Sequence, residues 1–323
     1  MEFLYSLKLL IIVIAMAILW PVLAKICLNK RLIKQAWILW MVVLAGYAVG
    51  NWLLLDDSPY LRMTGLCMWL LSGMKCITYQ AWLSKHRGDI KAQLSWCRWL
   101  GFAWLWFGMS VQPWVKPYTK RPWLRHALCG LLCVVMGVLW MYCCYLYEIT
   151  HVLPIFIGLS LAFHYGCLRL LMAWWRLCGV PVKLLFRNPL RLTGFRDFWS
   201  KRWNLGYSQM MAVTVQKPLM QLGMSFKGSL LMVFIISGLL HELAISVPAK
   251  TGYGLPFLVF LVHGLLTLLE LKWPHPWLYR IGCFIILLVG MPYLFPQEFN
   301  QQILIPSVEF VGENLTRLIN EII

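Results

Sequence analysis

The chain has 323 residues, 61% hydrophobic and only 13% charged. A soluble domain carries about 25% charged residues, so an ordinary soluble fold is excluded and a polytopic membrane protein is indicated. The net charge of +17 does not argue for a nucleic-acid partner. The basic residues lie between apolar runs, as the positive-inside rule places them, and no nucleic-acid motif accompanies them.

Residues 3–24 form a first apolar run. The basic cluster Lys25, Lys30, Arg31, Lys34 follows it, as expected for a retained anchor with its N-terminus outside rather than a cleaved signal. Residues 36–55 and 61–83 are read as the second and third spans, joined by an outer turn at Asp56, Asp57 and Pro59. Lys75 lies inside the third span, where snorkelling or structural pairing is expected ahead of function. Residues 96–110 are apolar but shorter than a usual crossing and have basic loops on both sides, so a re-entrant or interfacial segment is expected, the alternative being a short true span that would invert the topology upstream. Spans four and five are read at 127–147 and 152–177, with His164 in the middle of the fifth as a helix–helix hydrogen-bonding residue.

A long basic stretch follows, from Gly179 to about Lys227. Within it, residues 195–211 read as one amphipathic interfacial helix, with Phe198, Trp199 and Trp203 interleaved with Arg196, Lys201 and Arg202. Residues 230–247, 256–271 and 277–295 complete eight spans. The tail carries Glu298, Glu309, Glu313 and Glu321 against Arg317, which suits an even number of spans with both ends outside. The expected fold is therefore all-α and polytopic, about eight transmembrane helices plus re-entrant or interfacial amphipathic helices. The whole forms a single membrane domain, 1–323. Its parts are N-terminal helices (1–178), a central region (179–273) and a last span with its tail (274–323). The eleven cysteines lie mostly in apolar runs and contain no C-x-x-C pair, so neither a disulfide framework nor a metal site is expected.

Ionisable side chains inside such helices are costly and need a reason. His241 lies about two-thirds along its span. A buried imidazole favours its neutral form, which is what a general base needs when an alcohol attacks a thioester. Glu242 is adjacent and points about 100° away on a helix, so pairing with a neighbouring helix is expected of it. Ser237 shares the face of His241, but no G-x-S-x-G elbow surrounds it. The Asn204 amide offers a donor for charge developing on a carbonyl oxygen, with a helix cap as the bland reading. Taken alone, the basic run reads first as ordinary positive-inside charge, a lipid-headgroup contact or a solvated loop, and only after these as a docking patch for a phosphorylated carrier such as coenzyme A.

Three runs carry a resemblance. N-P-L-R-L-T-G-F-R-D-F-W-S-K-R-W-N at 188–204 is similar to D-F-W-x-R-R-W-N. S-G-L-L-H-E at 237–242 is similar to S-G-x-x-H-E. H-G-L-L-T-L-L-E at 263–270 is more weakly similar to H-G-x-x-T-x-x-E. Together they resemble the membrane-bound O-acyltransferase superfamily, and within it the plant-type wax synthase (long-chain-alcohol O-fatty-acyltransferase) branch, over residues 179–273. Ser200 and Lys201 stand where the family pattern has Gly and Arg.

The resemblance implies a catalytic His241 with Asn204 as its polar partner. It implies acyl-CoA binding by Phe198, Trp199, Lys201, Arg202 and Trp203, with Arg191 and Arg196 beside them. Ser237, Glu242, His263 and Glu270 are weaker candidates for the substrate pocket. The implied reaction uses acyl-CoA as co-substrate and no permanently bound cofactor or metal. It esterifies a lipophilic alcohol, first a long-chain fatty alcohol and alternatively a terpenoid or other secondary-metabolite alcohol receiving an acetyl group. Membrane lipids are the expected surroundings, in a bacterial inner membrane or endoplasmic reticulum. The competing class is a transporter or channel using Lys75, His164, His241, Glu242 and Glu270 as an ion path. The lack of two similar halves speaks against it.

Overall fold

The computed structural model describes residues 19–322 apart from Lys34, Lys120 and Pro274. Most of the expected first span therefore lies outside the described residues. Its C-terminal end belongs to helix α1, Leu19–Asn29. There follow α2 (Ala36–Leu53), α3 (Pro59–Lys85) and α4 (Trp96–Ala103). α5 (Leu124–Leu146) and α6 (Val152–Leu177) come next. Two shorter helices, α7 (195–202) and α8 (205–221), precede α9 (Phe226–Ala249). The chain closes with α10 (Leu255–Lys272), α11 (Pro276–Leu294) and α12 (297–322). Among the described residues there is no strand. The protein is an all-α polytopic membrane protein.

Six helices, α2, α5, α6, α9, α10 and α11, are long and apolar enough to cross a bilayer. They bury little of themselves inside the protein, only 11% in the case of α11, so their apolar sides face lipid. α3 is different. Its 27 residues reach about 40 Å, enough to cross, yet it carries Arg62 and Lys75. Nine consecutive residues, Ser72 to Gln80, are buried whichever way they point. A helix enclosed by other helices has no lipid to satisfy, so its polar residues can be met by protein.

Lys75 shows how. It does not snorkel, and its partners are backbone carbonyls rather than a carboxylate. Its ammonium, fully buried, donates to the carbonyls of Phe102 (2.8 Å), Trp106 (2.8 Å) and Gly108 (2.5 Å). It also lies 4.1 Å from the Phe102 ring centroid. The physical reason lies in the 96–110 segment. α4 has eight residues, about 12 Å, too short to cross. The irregular backbone after it leaves carbonyls without helical partners, and such backbone is tolerated at membrane depth only where protein satisfies it.

α3 and α9 run antiparallel. Arg62, near the start of α3, donates to the Val247 carbonyl near the end of α9 (3.2 Å). α9 and α10 are joined by a short turn and are also antiparallel. The end of α3 at Lys85, the start of α9 and the end of α10 therefore share one face of the bundle. α7 lies on that face too, because Glu270 near the end of α10 accepts from the Arg196 backbone N–H (3.1 Å).

The expected single helix at 195–211 is two. The chain runs extended at Trp203 and left-handed at Asn204 (φ 41°), and there the helix breaks. Asn204 does not close the basic helix. It opens α8, its Oδ1 accepting from the Tyr207 N–H (3.3 Å). Asn tolerates positive φ better than most residues and is a strong N-cap, so both demands select it.

Candidate active site

His241 sits late in α9, where π-helical turns begin at Glu242. Its Nδ1 lies 2.7 Å from the Ser237 carbonyl one turn earlier. A carbonyl can only accept, so Nδ1 carries the hydrogen and Nε2 of the neutral ring holds the free lone pair. The ring is packed deep in the protein yet keeps accessible surface, the combination expected of a group lining an internal cleft. Phe260 of α10 lies against it, tilted by 31°, at 4.0 Å between centroids. Tyr207 of α8 meets it edge-on at 6.2 Å. Asn204 caps the turn of α8 that carries Tyr207, so the two candidate catalytic residues are joined through that turn.

Ser237 is not presented as a nucleophile. It is buried, and its Oγ donates back to the Val233 carbonyl (2.7 Å). Glu242 does pair with a neighbouring helix: Oε1 accepts from the Phe257 N–H in the first turn of α10 (2.8 Å). A carboxylate at a helix N-terminus complements the unpaired amides and the dipole there.

A second histidine lies behind Phe260. Trp199 is 5.3 Å from Phe260 and 5.4 Å from His263, between ring centroids. His263 is only 3% exposed, and neither of its nitrogens has a partner. The Trp199 Nε1, the Glu242 Oε2 and the Tyr207 hydroxyl are likewise buried and unpaired; the hydroxyl lies beside Ser237 without a well-aligned bond. Five of the eleven such atoms among the described residues thus gather round His241 and Phe260. Native interiors rarely leave polar atoms so, and a pocket built for a polar ligand is one place they do. Tyr207 and Phe260 carry no sequence signal. Only the folded contacts reveal them.

The basic stretch divides. Arg202 is turned inward: its Nε donates to Asp197 and its Nη1 to the Asn188 carbonyl (3.1 Å). Asp197 also accepts from the Thr193 N–H (3.2 Å), so this pair ties the loop to α7. Arg191, Arg196 and Lys201 remain exposed. Lys201 keeps only a loose 3.9 Å pair with Asp197. Phe198 is buried and stacks on Trp203 at 5.7 Å, and Trp203 faces His164 at 5.2 Å. His164 bonds to Ser160 one turn back (3.2 Å). Glu270 serves the backbone of α7, packed so closely that a Cβ on Gly194 would lie 2.5 Å from its Oε1. Among the described residues no three His, Cys, Asp or Glu side chains gather as a metal site would require.

Residues 182–262 match the model of the membrane bound O-acyl transferase family. That segment contains Asn204 and His241 and stops one residue short of His263. The chain is similar to a probable long-chain-alcohol O-fatty-acyltransferase 1 of Arabidopsis thaliana, 30% identical over 33% of this chain and 29% of that protein. It is similar to the long-chain-alcohol O-fatty-acyltransferase of Simmondsia chinensis, 32% identical over 20% of each chain. A third relative is the acyl-CoA–sterol O-acyltransferase 1 of Arabidopsis thaliana, 36% identical over 18% of this chain and 19% of that protein. The chain spans less than a third of the length of each of these relatives.

Proposed function

We propose that the protein is a membrane-embedded O-acyltransferase that moves an acyl group from a coenzyme A thioester to the hydroxyl of a lipophilic alcohol. The observation that carries this reading is His241: its tautomer is fixed by the Ser237 carbonyl, with Nε2 free in a partly accessible, aromatic-walled site. The match of the surrounding segment to the acyltransferase family supports it. A long-chain fatty alcohol is the first acceptor we assign, by similarity to the fatty-alcohol enzymes. A ring-bearing alcohol is the second, favoured by the likeness to the sterol enzyme.

The acyl donor approaches the face bearing α7. Exposed Arg191, Arg196 and Lys201 meet its phosphates, while Arg202 holds the loop that presents them. The alcohol gives its proton to His241 Nε2 as its oxygen bonds to the thioester carbon. Negative charge collects on the former carbonyl oxygen. We assign the Asn204 Nδ2 hydrogens and the Tyr207 hydroxyl as its donors: Tyr207 meets His241, and Asn204, its Oδ1 occupied by the cap, holds the turn that carries Tyr207. The C–S bond then breaks, and the imidazolium returns its proton to the thiolate. Ester and free coenzyme A leave. The apolar walls exclude water that would otherwise hydrolyse the donor.

The test is ester formation by the purified protein, offered labelled acyl-CoAs from acetyl to stearoyl with long-chain and polycyclic alcohols. His241→Ala removes a general base and lowers turnover by about 10²- to 10⁴-fold, without changing the thermal unfolding midpoint greatly. A His241→Ala protein as active as wild type overturns the mechanism.

A further inference from the structure

The face of the bundle opposite α7 holds a cavity of about 590 Å³. It lies between the α2–α3 turn, the end of α9 and the start of α12. Asp56, Asp57, Arg62, Lys250 and Glu298 bring five charges to it. Nothing in the proposed transfer reaction uses them.

Arg62 is only 2% exposed. Its Nη2 donates to Asn51 (2.9 Å) and to the Val247 carbonyl, but its Nε is buried and unpaired. Asp57 Oδ2 is also buried and unpaired, and burial pushes the Asp57 carboxyl above its usual range, with Asp56 adding to the effect. Lys250 donates to the Leu55 carbonyl (2.9 Å). None of the five charges forms an ion pair with another: the ion pairs among the described residues all belong to Asp197. Three carboxylates and two cations thus share one cavity without touching. A simple cation would leave Arg62 unused, and a simple anion would be repelled by the carboxylates. A ligand carrying both signs engages Arg62 and the carboxylates together.

The cavity's depth says what that ligand is. It sits at the ends of the helices, where lipid headgroups lie. Exposed Trp52, Tyr60 and Tyr253 mark the same level, as interfacial aromatics do. No aromatic ring lines the cavity, so it lacks the cage that a quaternary ammonium prefers. A primary ammonium, with three N–H donors, suits carboxylates instead.

We propose that this cavity binds a phosphoethanolamine headgroup, its phosphate on Arg62 and its ammonium among Asp56, Asp57 and Glu298. Arg62 also braces the fold, so substituting it risks misfolding. Asp56 and Glu298 are exposed and form no ion pair among the described residues, and Asp56→Asn with Glu298→Gln carries the test. The full chain is purified and its retention of phosphatidylethanolamine, phosphatidylcholine and phosphatidylglycerol of matched acyl chains is measured by native mass spectrometry. Preference for phosphatidylethanolamine, reduced about tenfold by the double substitution, is the expected result. Equal retention of phosphatidylglycerol, or a double variant that holds phosphatidylethanolamine as tightly as wild type, overturns it. A parallel titration with free O-phosphoethanolamine separates the sources. Binding that depends on the same two carboxylates supports the same chemistry with a soluble ligand. Binding of the lipid but not the free headgroup supports the lipid. Failure of both overturns the site.

Discussion

Two buried polar centres lie in this bundle, and they are finished in opposite ways. Around Lys75 every group has a partner: one ammonium, three carbonyls and the face of Phe102 close on each other. Around His241 and His263 the side chains are as deeply placed, but five polar atoms have none. A buried polar atom without a partner costs about 1–3 kcal/mol, so a chain that satisfies Lys75 with three bonds would not leave five atoms idle merely to pack helices. The first centre is complete in the protein alone. The second, on the proposed function, is completed by substrate. Depth in the membrane is therefore no guide to function; satisfaction is.

The sharpest way to break this contrast is at Lys75. Lys75→Met keeps the length of the side chain and removes its donors, stranding three carbonyls. We expect a loss of about 3 kcal/mol or more, seen as a large fall in the thermal unfolding midpoint or in the yield of folded protein. If the variant unfolds like wild type but loses ester formation, Lys75 belongs with the active centre and the comparison fails.

His263→Phe probes the other side. The substitution keeps an aromatic ring and removes both unpaired nitrogens. Replacing unsatisfied polar atoms by apolar ones of similar shape is close to neutral or stabilising. We expect an unfolding midpoint equal to or above wild type together with a fall in turnover of about tenfold. A drop in stability with unchanged turnover would mark His263 as structural, its partners supplied by water.

The two centres were unequally legible in sequence. The apolar runs announced the crossing helices, because lipid enforces composition residue by residue. α5, α6, α9, α10 and α11 lie within a few residues of where those runs place them. Lys75 was visible as an oddity, but its partners are backbone carbonyls of an irregular segment some 30 residues on, and any sequence has carbonyls. His241, His263 and Glu270 stand out as residue types in the wrong solvent, and Asn204 only through the motif it ends. What each one bonds to does not. The interfacial pattern at 195–211 read as one helix because its aromatic and basic residues keep a helical period across Trp203. Only the left-handed turn at Asn204 ends it, and one asparagine is a weak signal for such a turn. Arg202 looked like the other basic residues, and only its geometry with Asp197 sets it apart from Arg191, Arg196 and Lys201.

Asn204 gives the finest test, because it belongs to both kinds of centre. Its Oδ1 caps α8, a closed structural bond, while its Nδ2 hydrogens are, in the proposed mechanism, donors to the reacting carbonyl oxygen. Asn204→Ala removes both and also forces an alanine into a backbone with φ 41°. Loss of the cap costs about 1 kcal/mol and the left-handed conformation about 1–2 kcal/mol more. Asn204→Gly removes the amide but accepts positive φ without strain, and glycine is only a few tenths of a kcal/mol worse than asparagine as a cap. The pair of variants thus separates backbone from chemistry. We expect Asn204→Gly to unfold near the wild-type temperature while turnover stays as low as in Asn204→Ala, with the apparent KM for the alcohol little changed, as the loss of a bond made in the transition state requires. Recovery of turnover together with stability in Asn204→Gly would leave the asparagine as a helix cap alone and move the oxyanion donor to Tyr207.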